Sequence, residues 1–134
     1  MRTEEFIVDT SGRRVVDITD RVGRFAEGAG SDGLVSVFVP HATAGLALME
    51  TGSGSEDDLE GVLDGLLPRD DRYRHRHGAP GHGGDHLLPV FVSSSLTVPV
   101  VGGRLALGTW QSVVVVDPNR DNNQRRIRLS FLPG

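Results

Sequence analysis

The sequence predicts an α+β domain, compact and mostly antiparallel, a β-sandwich-like fold carrying two helices. Three observations lead there. Six or more short apolar or alternating runs are separated by turn residues, two stretches have helical periodicity, and no strand–helix–strand order recurs that would build a parallel sheet. The chain of 134 residues has the length of one ordinary domain, and neither a repeat nor a linker divides it, so residues 1–134 are expected to fold as a single unit.

Element by element, Thr3 to Asp9 alternates, with Phe6 and Val8 on one face and Glu5 and Ile7 on the other. A Ser11-Gly12 turn and a β-branched run from Arg13 to Ile18 follow, which predicts a β-hairpin. Thr19 or Asp20 can cap a short helix through about Ala26, ended by Gly28 and Gly30. Leu34 to Val39 is an apolar run of strand length, and Pro40 stops it. Ser55 then stands as N-cap before Glu56, Asp57 and Asp58, whose charges suit the positive end of a helix dipole. Leu59, Val62, Leu63, Leu66 and Leu67 form the stripe of that second helix, which ends near Pro68. Residues 69–85 are rich in glycine, histidine and arginine, too polar to pack and too long for a plain connection. Strands return at Leu96 to Val101, Arg104 to Leu107 and Trp110 to Asp117. The last, Arg125 to Leu132, sets Arg126, Arg128 and Ser130 on a wet face and Ile127, Leu129 and Phe131 on a buried one.

Composition excludes several kinds of chemistry. With no cysteine the chain can form no disulfide, thiolate nucleophile or iron–sulfur site. All 14 basic residues are arginine, so no lysine Schiff base or lysine general base is available. Net charge is −4, which disfavours nucleic acid and anionic membranes as partners. The N-terminus is acidic where a signal peptide is apolar, and no apolar stretch nears the ~20 residues needed to span a bilayer. A soluble cytoplasmic protein is expected.

Candidate chemistry concentrates in histidine. His75, His77, His82 and His86 fall within twelve residues, and neutral imidazole is a common ligand of zinc and similar metals. His75 and His77 share a face if extended, His82 and His86 if helical, although neither spacing is a specific metal signature; a solvated polar loop is the alternative. His41, Thr43 and Gly45 follow a buried strand directly, a place where side chains are held yet reach the surface. Glu50 is the nearest acid to pair with His41. Trp110 is either core or a platform for a ligand, and Arg125 and Arg126, with Arg120 nearby, could clamp a phosphate or carboxylate or stand as exposed strand arginines. Asp117 could orient a histidine or an arginine, while Asn119, Asp121, Asn122 and Asn123 read as turn residues.

Four segments, HATAGLALME at 41–50, RYRHRHGAPGHGGDH at 72–86, SSSLTVPVVGGRLALGTWQSV at 93–113 and RRIRLSF at 125–131, together resemble the YjbQ-like family over essentially the whole chain. The resemblance implies a homotrimer with its polar site near subunit contacts, and a weak, secondary thiamine-phosphate synthase activity that joins a pyrimidine methyl diphosphate to a thiazole phosphate. It places His41, Glu50 and His86 as catalytic residues. Thr43, Gly45, Thr109, Trp110 and Gln111 become substrate-binding residues, joined by Arg126 as the anion contact read above, and His41, His75 and His86 ligands of a divalent metal, zinc or magnesium. Two departures stand out. His82 and Leu88-Pro89 replace an asparagine and a lysine common in relatives, and a longer polar stretch follows Asp117-Pro118-Asn119-Arg120, which leaves Asp117 and Arg120 unassigned. On this reading His77 and His82 are local additions. Two other functions fit the same residues: a metal-assisted hydrolase of a phosphorylated small molecule with Glu50 or Asp85 as base, and a non-catalytic trimeric module that binds a metal or anion.

Overall fold

A computed structural model describes all of residues 1–134. In chain order the elements are β1 (Arg2–Asp9), β2 (Val15–Asp17), α1 (Thr19–Ala29), β3 (Gly33–Phe38), β4 (Gly45–Met49) and α2 (Ser55–Leu66). They continue with α3 (His82–Asp85), α4 (Leu88–Phe91), β5 (Ser95–Val101), β6 (Arg104–Leu105), β7 (Ser112–Val116) and β8 (Gln124–Pro133). The expected α+β class and antiparallel pairing hold. A five-stranded sheet runs in the order β1-β8-β3-β5-β6 and a three-stranded one in the order β2-β7-β4.

The expected hairpin at the N-terminus does not form. β1 pairs with β8, with Arg2 opposite Phe131 and Asp9 opposite Gln124, whereas β2 pairs with β7, with Val15 opposite Val116. The Ser11-Gly12 step therefore carries the chain from one sheet to the other. Local turn chemistry marks the corner correctly but cannot choose the partner, which is set by burial across the whole molecule.

β7 explains the layering. Its valines are fully buried on both sides. Val113 and Val115 join Val35, Val37, Ile127 and Leu129 of the large sheet and Phe25 of α1, while Val114 and Val116 join Leu63 of α2 and Leu88 of α4. Strand alternation thus sends successive side chains into two cores, each buried valine contributing about 1.5–3 kcal/mol. α2 keeps only part of its stripe: Leu59, Leu63 and Leu67 pack on the second core, but Val62 and Leu66 stay 63% and 50% exposed.

β4 begins at Gly45, where no strand is expected from the sequence. A Cβ on Gly45 would run into the Val92 carbonyl, and the bare backbone lets Leu46 N–H donate to Ser93 O at 2.7 Å. The segment 81–85, expected to be too polar to pack, is buried throughout.

Candidate metal centre

Residues 68–86 fold back on themselves through polar contacts. Tyr73 Oη donates to Pro68 O at 2.7 Å, and its side chain lies against the glycine face of α3. A Cβ on Gly83 would meet His75 O at 2.5 Å and Tyr73 Cβ at 2.6 Å, so a side chain there would force the His75–His77 segment away from the helix. α3 is a single turn, and it stacks His82 and His86 four residues apart, with their Nε2 atoms 2.9 Å apart. His75 and His77 come over from the other side. Their ring centroids are 4.0 Å apart, with His75 4.3 Å from His86 and His77 4.7 Å from His82.

One nitrogen from each of the four rings lies within 4.8 Å of the others. Tetrahedral zinc with zinc–nitrogen bonds of about 2.0–2.1 Å has ligand atoms about 3.3 Å apart, so the quartet needs only small ring shifts to close on such an ion. The chemistry of the set also fits: four imidazoles suit zinc and similar transition ions, whereas magnesium takes oxygen ligands. Burial and then the neighbouring imidazoles hold His86 below the ordinary histidine value of 6.5, and desolvation with His75 and His82 does the same for His77. Those two rings are thereby biased to the neutral form that binds metal.

A polar network, buried at Asp85, Asn119, Asp117 and Arg125 and exposed at Asp121, supports the quartet. Arg69 grips Asp85 through Nη1 at 2.6 Å and Nη2 at 3.1 Å, and Asn119 Nδ2 donates to Asp85 Oδ2 at 2.9 Å. Asp121 Oδ2 lies 2.6 Å from His82 Nδ1, and the same carboxylate accepts Ala79 N–H at 3.0 Å. Desolvation acts to raise the Asp121 pKa, but the bonds from Ala79 and His82 outweigh it and hold the carboxyl below its ordinary value. Asn119 N–H in turn donates to Asp117 Oδ1 at 3.1 Å. Asp117 accepts Arg125 Nε at 2.7 Å and Nη2 at 2.9 Å as well as Thr10 Oγ1 at 2.5 Å, with Arg125 and Asp117 only 1% and 2% exposed. Of the sequence alternatives, Asp117 therefore orients an arginine.

The site expected from sequence divides. His75 and His86 are brought together, but with His77 and His82, the two taken as local additions. His41 is left out of the quartet: its Nε2 accepts Arg126 N–H at 2.9 Å, which occupies the lone pair a metal would need. It satisfies a β8 amide beyond the end of β3, whose last pair is Phe38 with Arg128. Burial and then the Arg125 charge keep it below the ordinary value, consistent with a neutral acceptor. Thr43 is buried and accepts Arg125 Nη2 at 2.8 Å, so its hydroxyl serves the network rather than a ligand. Gly45 has the strand-packing role described above. Asp85 is committed to Arg69 and Asn119 and is not free to act as a base.

Glu50 follows Met49, which pairs with Ser112, at the end of the small sheet opposite Gly45 and Val116. Thr109, Trp110 and Gln111 precede Ser112 at that same end and are exposed, Trp110 by 73%, with Gln111 Oε1 accepting Gly108 N–H at 2.8 Å. Arg126 is exposed beside Glu5, at 4.0 Å, and Arg120 is exposed too; Arg125 alone of the three is buried. Sequence reasoning read Asn119 and Asp121 as turn residues, and their reach into the histidines had no local signal. The His82–His86 spacing with two glycines between was the usable clue.

Two clefts lie near this network. A small one of about 130 Å³ is lined by His75, His77, His82, Arg76, Asp70 and Asp71 among others. Arg76 donates only its Nε, to Tyr73 O at 2.9 Å, and Asp70 is held by Arg72 at 2.7 Å. A larger polar cleft of about 620 Å³ is also lined by Asn119, with mixed charges of which Arg14 is already paired to Glu60 and Asp64.

A family model described as UPF0047 protein YjbQ-like matches residues 4–134. UPF0047 protein Rv2556c of Mycobacterium tuberculosis is 61% identical over 134 residues, covering all of both chains. A UPF0047 protein of Methanothermobacter thermautotrophicus is 36% identical over 130 residues, 96% of this chain and 90% of its own. Among solved structures, a hypothetical protein of Aeropyrum pernix K1 superposes with a TM-score of 0.90 at 32% identity over all of both chains. A YbjQ-like protein of unknown function from Sulfolobus solfataricus P2 gives 0.90 at 26% identity, over 99% of this chain and 97% of the other. By sequence over its whole length and by fold, the chain belongs to the YjbQ-like UPF0047 family.

Proposed function

We propose that the chain is a metal-dependent enzyme acting on a phosphorylated small molecule, with one zinc-class divalent ion held by His75, His77, His82 and His86. The observation that carries the reading is the gathering of four imidazole nitrogens within 4.8 Å beside a cleft that also holds Arg76. When bound, the metal would supply Lewis-acid polarisation of a phosphate oxygen. The chain's own residues do the rest. His82 and His86 sit on one helical turn and form the fixed pair, while His75 and His77 are exposed and have no hydrogen bond to hold them, so one of them can yield its place to substrate. Arg76 Nη1 and Nη2 are unengaged and suit bidentate capture of the phosphate. Asp71 lines the cleft without an ion-pair partner and is the acid placed to accept a proton.

Two reactions fit. Hydrolysis of a phosphate ester is favoured by the size of the cleft, which at about 130 Å³ receives a phosphate but not a second ring. The thiamine-phosphate synthase reaction implied by the family resemblance needs an aromatic wall, and Trp110 lies at the other end of β7. A homotrimer would answer that need by bringing Trp110 of one copy to the histidines of the next. Val62, Val90 and Phe91, exposed by 63%, 75% and 59% on elements that share the second core, support such an assembly. The reading keeps the protein in the cytoplasm and away from nucleic acid and membranes; no helix is long and apolar enough to cross a membrane.

The test compares untagged protein, zinc-loaded and metal-stripped, on a chromogenic phosphate monoester and on the pyrimidine diphosphate plus thiazole phosphate pair. Turnover that requires metal and disappears in His82→Ala supports the proposal, and the substrate consumed selects the reaction. Turnover that is absent with both, or unchanged by stripping, overturns it.

A further inference from the structure

The loop after β7 bears on the histidine quartet through one residue. Asp121 Oδ2 lies 2.6 Å from His82 Nδ1, while Asn119 Nδ2 lies 3.1 Å from the same nitrogen. Nδ1 cannot donate to the carboxylate and accept from the amide at once. The shorter, carboxylate contact decides between them, and three others satisfy the amide without Nδ1. Asn119 Oδ1 accepts Asp121 N–H at 3.0 Å and Asn122 N–H at 2.9 Å, which fixes the amide orientation, and Nδ2 already donates to Asp85 Oδ2 at 2.9 Å. A bare Nδ1 facing a carboxylate at 2.6 Å would set two lone pairs against each other, so the proton lies on Nδ1 and points at Asp121. The other nitrogen, Nε2, is then left with its lone pair toward the quartet.

Asp121 is itself fixed from outside that pair. Ala79 N–H donates to both of its oxygens, at 3.0 and 3.2 Å, and Gly78 approaches so closely that a Cβ there would meet Oδ2 at 2.7 Å. The positive φ of 79° at Gly78 makes the position unsuitable for a side chain on backbone grounds as well. Residues 119–122 and 78–82 are therefore built to meet at this carboxylate.

We infer that Asp121 is the positioning carboxylate of the centre, holding His82 in the Nδ1–H tautomer so that Nε2 is presented to a divalent transition metal. A metal-ligating histidine commonly carries such a carboxylate on its second nitrogen, and its loss typically weakens binding about 10–100-fold. The inference rests on the reading that the quartet binds metal.

Asp121→Asn separates positioning from simple bracing. The amide oxygen can still accept Ala79 N–H, but its NH₂ would face His82 Nδ1 and favour the proton on Nε2, the wrong tautomer for a ligand. The experiment uses the full untagged chain, with zinc affinity read by chelator competition, the cobalt(II) absorption spectrum, and the His82 tautomer read by nitrogen-15 NMR of the metal-free protein. The expected result is an Nδ1–H His82 in the native chain, an Nε2–H His82 in Asp121→Asn, zinc affinity lower by about 10–100-fold and an altered cobalt spectrum. Native chain that binds zinc alongside a variant that binds it equally well overturns the inference alone. Native chain that takes up no zinc overturns the metal reading and the inference with it.

Discussion

Arg125 and Asp117 show how much of the molecule depends on one buried pair. The guanidinium is 1% exposed and the carboxylate 2%, with Thr10, Thr43 and Asn119 completing their hydrogen bonds. Removing one member leaves the other charged and unpaired in a low-dielectric setting, so Asp117→Ala should cost about 3–5 kcal/mol, read as a lowered midpoint in urea unfolding. His41→Ala should behave differently. It removes one acceptor from an exposed amide, and a loss of about 1 kcal/mol is expected, with zinc affinity unchanged because His41 stands outside the quartet. A large fall in zinc affinity in that variant would return His41 to the metal site. The role of His41 was not readable from sequence, and that of Asp117 only as one of two alternatives. A histidine after a buried strand looks the same whether it faces a ligand or caps an amide, and an arginine on a strand reveals its burial only through the side chains that meet it.

At the scale of elements, α3 and the segment from Tyr73 to His77 act as one unit. Gly83→Ala should place a Cβ against His75 O and Tyr73 and push the two halves of the quartet apart. The expected outcome is reduced zinc affinity with thermal stability of the metal-free protein little changed, because neither core contains residue 83. Where periodicity was strong the elements were legible: β3, β5, β7, β8, α1 and α2 fall within a few residues of the pattern of apolar and turn residues. The N-terminal hairpin failed because pairing is a tertiary decision, and β4 was missed because its glycine and alanine carry little strand preference. Likewise 69–85 reads as solvated by composition. Residues 70–78 are indeed mostly exposed, but 81–85 are buried, held through Arg69–Asp85, Asp121–His82 and close glycine contacts, none of which leaves a hydrophobic period.

For the whole molecule, charge on the histidines couples the centre to folding. His41, His77 and His86 are all held below 6.5 in the folded chain. In acid the unfolded chain therefore binds protons that the native one resists, and stability of the metal-free protein should fall as pH drops through about 6.5. Thermal melts from pH 7.5 to 5.5 should show a falling Tm, whereas a flat profile would mean these rings are unperturbed. The proposed trimer predicts a solution mass of three times the 14.4 kDa chain by light scattering. The central claim, a single metal centre built by four histidines, is tested most directly by zinc content and X-ray absorption on untagged protein. One zinc per chain with nitrogen neighbours at about 2.0 Å, lost together in the His82→Ala, His86→Ala double variant, is the predicted result. Failure to retain zinc after reconstitution, or full retention by the double variant, would contradict it.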